Sequence, residues 1–236
     1  MPFGAVLFLF LLIFGAGLGL PYTYWLEIDQ VQAFEGDDGV VLFVEVDRTM
    51  RYGGFLQEAP IDKTMQLLRV DVSRDGQASQ VPLKFNDDAT FNTNIAPIIK
   101  LSDHFYLVQQ PSMGRPSCQV HQVLGDRIES LSFGESDKIL RSIGLPCGQS
   151  RGLDDFSEFD TISQRSGWTR LNGSSYGFRY GRDPIVSARH KLRLRFVDDG
   201  VSEAIVAESF DGPNHWSKPL VRVNTSRWKS YRSPMR

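Results

Sequence analysis

The stretch Arg182-Asp-Pro-Ile-Val, Leu192-Arg-Leu-Arg-Phe-Val, Asp198-Asp-Gly, Glu203-Ala-Ile-Val-Ala-Glu-Ser, Phe210-Asp-Gly-Pro-Asn and His215-Trp-Ser-Lys-Pro219 decides the fold class. Leu192, Leu194 and Phe196 alternate with Arg193 and Arg195, the period-2 pattern of a strand with one buried face. Asp198-Asp199-Gly200 supplies the positive-φ position of a tight hairpin. Glu203 to Ser209 forms the next strand, Asp211-Gly212-Pro213 the next turn, and Trp216 opens a last strand where its ring can cover the sheet core. The whole stretch reads as one four-stranded antiparallel sheet.

The same alternation recurs upstream. Val40 to Val46, Leu67 to Val72, Ile98 to Leu101, Phe105 to Val108, Val120 to Val123 and Ile128 to Phe133 read as strands. The turn pairs Asp38-Gly39, Asp75-Gly76, Gly125-Asp126, Asn172-Gly173 and Asp211-Gly212 follow one another at steps of 37, 50, 47 and 39. These steps match the length of a propeller blade, whereas a sandwich spaces its turns more densely. Ala96-Pro-Ile-Ile99 with Phe105-Tyr-Leu-Val108 aligns without gaps on Asp183-Pro-Ile-Val186 with Leu192-Arg-Leu-Arg195, at an offset of 87. Ser73-Arg-Asp-Gly76 echoes Ser209-Phe-Asp-Gly212. The expectation is an all-β, propeller-like domain of four to five lean blades over 26–236. Gly134 to Asp160, rich in Gly, Ser and acids, is expected to be an irregular connection.

An Asp-Pro-aliphatic strand, then Ser-x-Asp-Gly followed by Trp, resembles one blade of the five-bladed propeller glycosidases, the fructosidases, arabinanases and xylosidases. Ser209, Asp211 and Trp216 also occupy the Ser, Asp and Trp positions of a sialidase Asp-box, from which Pro213 and His215 depart. The resemblance is confined to residues 182–219. It implies carboxylates around a central cavity, one acting as nucleophile or base and one as acid. By it, Asp183 would hold sugar hydroxyls with Arg182 shaping its charge, and Trp216 would contact the sugar. Asp29, the early acid on the strand-like run Trp25-Leu-Glu-Ile-Asp29, and Glu158 are the candidates for the remaining catalytic groups. The acid and base positions of the family are otherwise missing, so a glycan-binding or glycan-hydrolysing domain stands beside a non-catalytic interaction module or membrane-complex subunit.

Phe3 to Leu20 is an uncharged apolar run close to the roughly 20 residues that cross a bilayer. Small residues near its end suit a signal peptide, while Tyr22, Tyr24 and Trp25 behind it suit an anchor's interfacial aromatic belt. Residues 1–25 are therefore a signal anchor or signal peptide, and the domain lies outside the cytoplasm, membrane-anchored or secreted. In that compartment Cys118 and Cys147, the chain's two cysteines, can pair; two separate thiols are the other outcome. A net charge of −2 over 236 residues gives no footprint for nucleic acid. His104, His121, His190 and His215 show no metal-ligand spacing, and most are expected in turns or at the surface. Neither a metal nor a cofactor is indicated.

Overall fold

The computed structural model describes residues 22–52, 60–85, 97–109, 118–144, 163–165, 167–171, 184–212 and 215–224. The leading run, Cys147, Glu158, Arg182 and Asp183 lie outside them. Among the described residues no helix is long and apolar enough to cross a membrane.

Strands dominate, in three four-stranded antiparallel meanders. The first is β1 (Tyr22–Glu35), β2 (Gly39–Tyr52), β3 (Pro60–Ser73) and β4 (Ala78–Phe85). The second is β5 (Ile98–Leu101), β6 (His104–Gln109), β7 (Gln119–Leu124) and β8 (Arg127–Ser130). A two-residue strand, β9 (Thr169–Arg170), precedes the third: β10 (Ile185–Ser187), β11 (Leu192–Asp198), β12 (Ser202–Ser209) and β13 (Ser217–Asn224). The last is the four-stranded sheet expected from residues 182–219, and Pro184, which has no N–H to give, stands just before its edge strand.

The first two meanders do not stand apart as separate blades. Lys84↔Arg127 and Phe85↔Ile128 pair β4 with β8 in parallel, and β9 adds to β1, giving a curled nine-stranded half-barrel in the order β5-β6-β7-β8-β4-β3-β2-β1-β9. Pairing across a loop is non-local, so the alternation within each strand does not report it. The internal repeat does have a structural counterpart. Ile98 pairs with Leu107 and Ile185 with Leu194, and every further pair of the β10–β11 hairpin repeats one of β5–β6 at the offset of 87. The first Ser-x-Asp-Gly turn meets the chain that follows the second: the Trp216 indole lies so close over Gly76 that a Cβ there would sit 2.5 Å from it, and Lys218 Nζ donates to the Gly76 carbonyl at 3.2 Å. Gly76 also has φ of 77°, so a side chain at this position is excluded twice.

Three cores follow from the faces of the curled sheet. Its inner face contributes Phe34, Phe43, Leu67, Leu83, Ile98, Phe105, Leu107 and Ile128, with Trp168 packed against them. The outer face of β1–β3 meets β10–β13 through residues such as Val31, Leu42, Val70, Leu194 and Ile205. The outer face of β5–β7 is covered by a helix, α1 (Phe133–Ser142), through Ile99, Val108, Val120 and Leu140. This helix corrects the expectation of an irregular connection from Gly134 and of a strand reaching Phe133. A capping box starts it: Glu135 N–H donates to Ser132 Oγ at 3.3 Å, and Ser132 N–H donates to the Glu135 carboxyl at 3.0 Å. The Ser132 hydroxyl, donating to the Glu135 carboxyl at 2.6 Å, and next the Ser132 N–H hold that carboxyl below its ordinary pKa. Arg141 donates to Asp137 one turn away at 2.8 Å.

The curl is laced across its seam by side chains. Arg170 donates to Gln32 Oε1 at 2.6 Å and to the Ile98 carbonyl at 2.7 Å, while Ile98 N–H donates to the same Gln32 oxygen at 3.0 Å. Gln32 thus stands in for a strand carbonyl, linking β5 to β1 without a backbone ladder. The Arg170 guanidinium also lies 4.9 Å from the Phe34 ring centroid. Arg170→Met leaves buried acceptors unmade and is expected to lower unfolding stability by about 3 kcal/mol. Urea unfolding measures this; a loss under about 1 kcal/mol means the seam does not hold the curl.

Candidate functional site

The inner face of the first meander changes character along its length. On β2 the inward positions run Val41, Phe43, Glu45, Asp47, and both acids are fully buried. Across from them on β1 lie Gln32, Gln30 and Glu27, with Gln30 paired to Glu45 and Glu27 to Asp47. Strict alternation would put Glu27 on the same face as Val31, in the apolar core. A β-bulge at Asp29 prevents this: the register shifts between Ile28 and Gln30, so Ile28 joins the outer core and Glu27 turns inward.

The bulge brings one carboxyl oxygen from each of Glu27, Asp29 and Asp47 within 4.8 Å of the others. Asp47 is buried and the other two are half-buried. Each of the three has a further polar or electrostatic interaction, so none is isolated. Oxygens bound across one calcium ion are separated by at most about 4.6 to 5.2 Å, twice the ordinary Ca–O distance. A hard cation therefore fits the spacing. Sugar cleavage fits it less well, because the two carboxyls of a retaining glycosidase stand roughly 5 to 5.5 Å apart and those of an inverting one about 6.5 to 9.5 Å.

Among the described residues, the rest of the inner face is packed with aromatic and aliphatic side chains. Phe105 packs on Phe43, Phe34 and Trp168 at centroid separations of 5.0, 5.6 and 5.3 Å. Lys100 Nζ lies 4.6 Å from the Phe105 centroid and 5.4 Å from that of Trp168. Burial, with the neighbouring Arg69 adding to it, holds the Lys100 ammonium below the usual lysine pKa.

Of the residues expected at a sugar site, Asp29 belongs to the carboxyl cluster, whereas Asp183, Arg182 and Glu158 lie outside the described residues. Trp216 is half-buried, packed against the outer core and Gly76. Cys118 is disulfide-bonded, and Cys147 lies outside the described residues. The histidines divide: His104 and His215 are exposed, His190 occupies a turn but is buried with Nε2 donating to the Gly36 carbonyl at 2.7 Å, and His121 is buried within β7. His121 is paired at both ring nitrogens, with Ser130 at 3.0 Å and Gln109 at 3.2 Å, which is a structural role. Glu27 and Asp47 went unread in the sequence. For Asp47 a signal was present, since Val40 to Val46 is apolar on both faces but for Glu45 and an acid continuing that strand is enclosed with it; Glu27, on β1, carries no such signal.

No protein-family model matches this chain, and no curated protein and no solved structure matches it.

Carboxylates gathered in so small a space repel one another, and a cation bound among them relieves that repulsion. In chelator at pH 7, Asp29→Asn is expected to unfold at higher urea than the wild type, by up to about 1 kcal/mol, and added calcium to stabilise the wild type alone. A variant less stable than the wild type in chelator would show that a protein cation holds Asp29.

Proposed function

We propose that this chain is an extracytoplasmic, membrane-anchored carbohydrate-binding domain, related to the propeller glycosidases through its four-stranded meanders, that does not hydrolyse its ligand. The single observation behind the non-catalytic reading is the filled inner face. Where a glycosidase opens a channel to its carboxylates, Phe34, Phe43, Leu67, Phe105 and Leu107 are packed together. The acids beyond them gather within 4.8 Å of one another, a spacing that suits one hard cation better than a sugar ring held between them. The glycan as ligand is supported by the blade-like stretch 182–219 and by the β5–β6 and β10–β11 hairpins that repeat one register. The apolar run Phe3 to Leu20 supports the membrane anchor.

A second reading, hydrolysis, is favoured by one fact: Asp29, the strand acid singled out in the sequence, has two further carboxyls beside it. Incubating the full chain with a panel of oligosaccharides, and following both retention and product release, separates the two. The expected result is retention of at least one glycan with release no faster than in buffer. Release that Asp29→Asn abolishes in a folded variant would make the chain an enzyme and overturn the non-catalytic reading.

A further inference from the structure

A recess lies on the far side of the second meander, between its outer face and helix α1. It has a volume of about 320 Å³, at the lower end of the range for small-molecule sites. The sheet supplies Tyr106 and Gln122, which are paired across β6 and β7. The helix supplies Glu135, Lys138, Ile139 and Ser142, the i, i+3, i+4, i+7 stripe that forms one face of a helix. Leu131 completes the floor.

The polar groups around this recess divide into those already engaged and those that are not. Glu135 is held by Ser132 in the capping box, and the Ser142 hydroxyl donates to the Ile139 carbonyl at 2.7 Å. The Tyr106 hydroxyl, the Gln122 carboxamide and the Lys138 ammonium make no hydrogen bond to the protein among the described residues. They surround an apolar floor made by the Tyr106 ring, Leu131 and Ile139. Burial raises the Tyr106 pKa, which keeps its hydroxyl protonated and able both to donate and to accept. Lys138 lies beside Glu135 and acts on it electrostatically, so the helix face carries both signs and does not demand an anion.

We propose that this recess is a subsite for one neutral hexopyranose ring, stacked by its C–H face on Tyr106 and Ile139 and hydrogen-bonded at its hydroxyls by Gln122, Lys138 and the Tyr106 hydroxyl. A pyranose has that chemistry, an apolar face rimmed by groups that both donate and accept, and Gln122 offers both functions at one position. The subsite deepens the carbohydrate-binding reading and rests on it. It is carried by the second meander and α1, so it is separate from the Glu27–Asp29–Asp47 cluster. A single ring held this way binds weakly, with a Kd in the millimolar range.

Ligand-observed NMR of the full chain with the methyl glycosides of glucose, galactose and mannose, and with longer oligosaccharides, tests this. The expected result is that at least one methyl hexoside binds and that Tyr106→Ala and Gln122→Leu each weaken it on the order of 10-fold or more, in proteins that melt as the wild type does. Lys138→Met, at an exposed helix position, repeats the test should Tyr106→Ala fail to fold. Binding unchanged in folded Gln122→Leu and Lys138→Met overturns the subsite and leaves the carbohydrate-binding reading standing. Absence of binding by every glycoside and oligosaccharide overturns both.

Discussion

The contact on which the rest depends is one hydrogen bond. Ile28 N–H donates to the Glu203 carboxyl at 2.7 Å across a buried interface, joining residues 175 apart in the chain. Ile28 flanks the bulge at Asp29, and Glu203 faces inward from β12 at 1% exposure. A bulge disrupts the ladder beside it, and an amide so placed away from water costs about as much as a lost hydrogen bond unless something accepts from it. Glu203 accepts from it and ties the four-stranded sheet to the curled one. The bulge has a second consequence on the opposite face, where it turns Glu27 inward beside Asp29 and Asp47. Joining the sheets and gathering the acids are two results of one extra residue in β1.

Much of the fold was legible because it is local. The apolar runs Val40–Val46 and Ile98–Leu101 and the period-2 run Leu192–Val197 became strands, and Gly76, Gly125 and Gly212 of the Asp-Gly and Gly-Asp pairs stand at positive φ. The repeat at an offset of 87 was legible as well, because two hairpins of one register need apolar residues at matching positions. What escaped was non-local. Two residue pairs fuse β4 to β8, and no pattern in either strand announces a partner brought together by looping. Helix α1 escaped for another reason. Gly134 and the acids after it suggest a solvated connection, although Ser132 with Glu135 is a start signal for a helix.

The site was only half legible. Asp29 stands out in sequence as an acid on a strand-like run, but its neighbours depend on a bulge whose sole trace is the spacing of Ile28 and Val31, three apart instead of two. Among the described residues the inner face beyond the acids is built from packed aromatic rings with the Lys100 and Arg170 cations resting on them.

Native-state hydrogen exchange at the Ile28 amide tests the account most directly. If Glu203 locks the bulge into the interface, Ile28 exchanges only through global unfolding, with the same opening free energy as the central amide of Val44, and Glu203→Leu lowers its protection by a factor on the order of 10 or more beyond any global loss. Exchange of Ile28 through local fluctuation in the wild type, far faster than Val44, would contradict it.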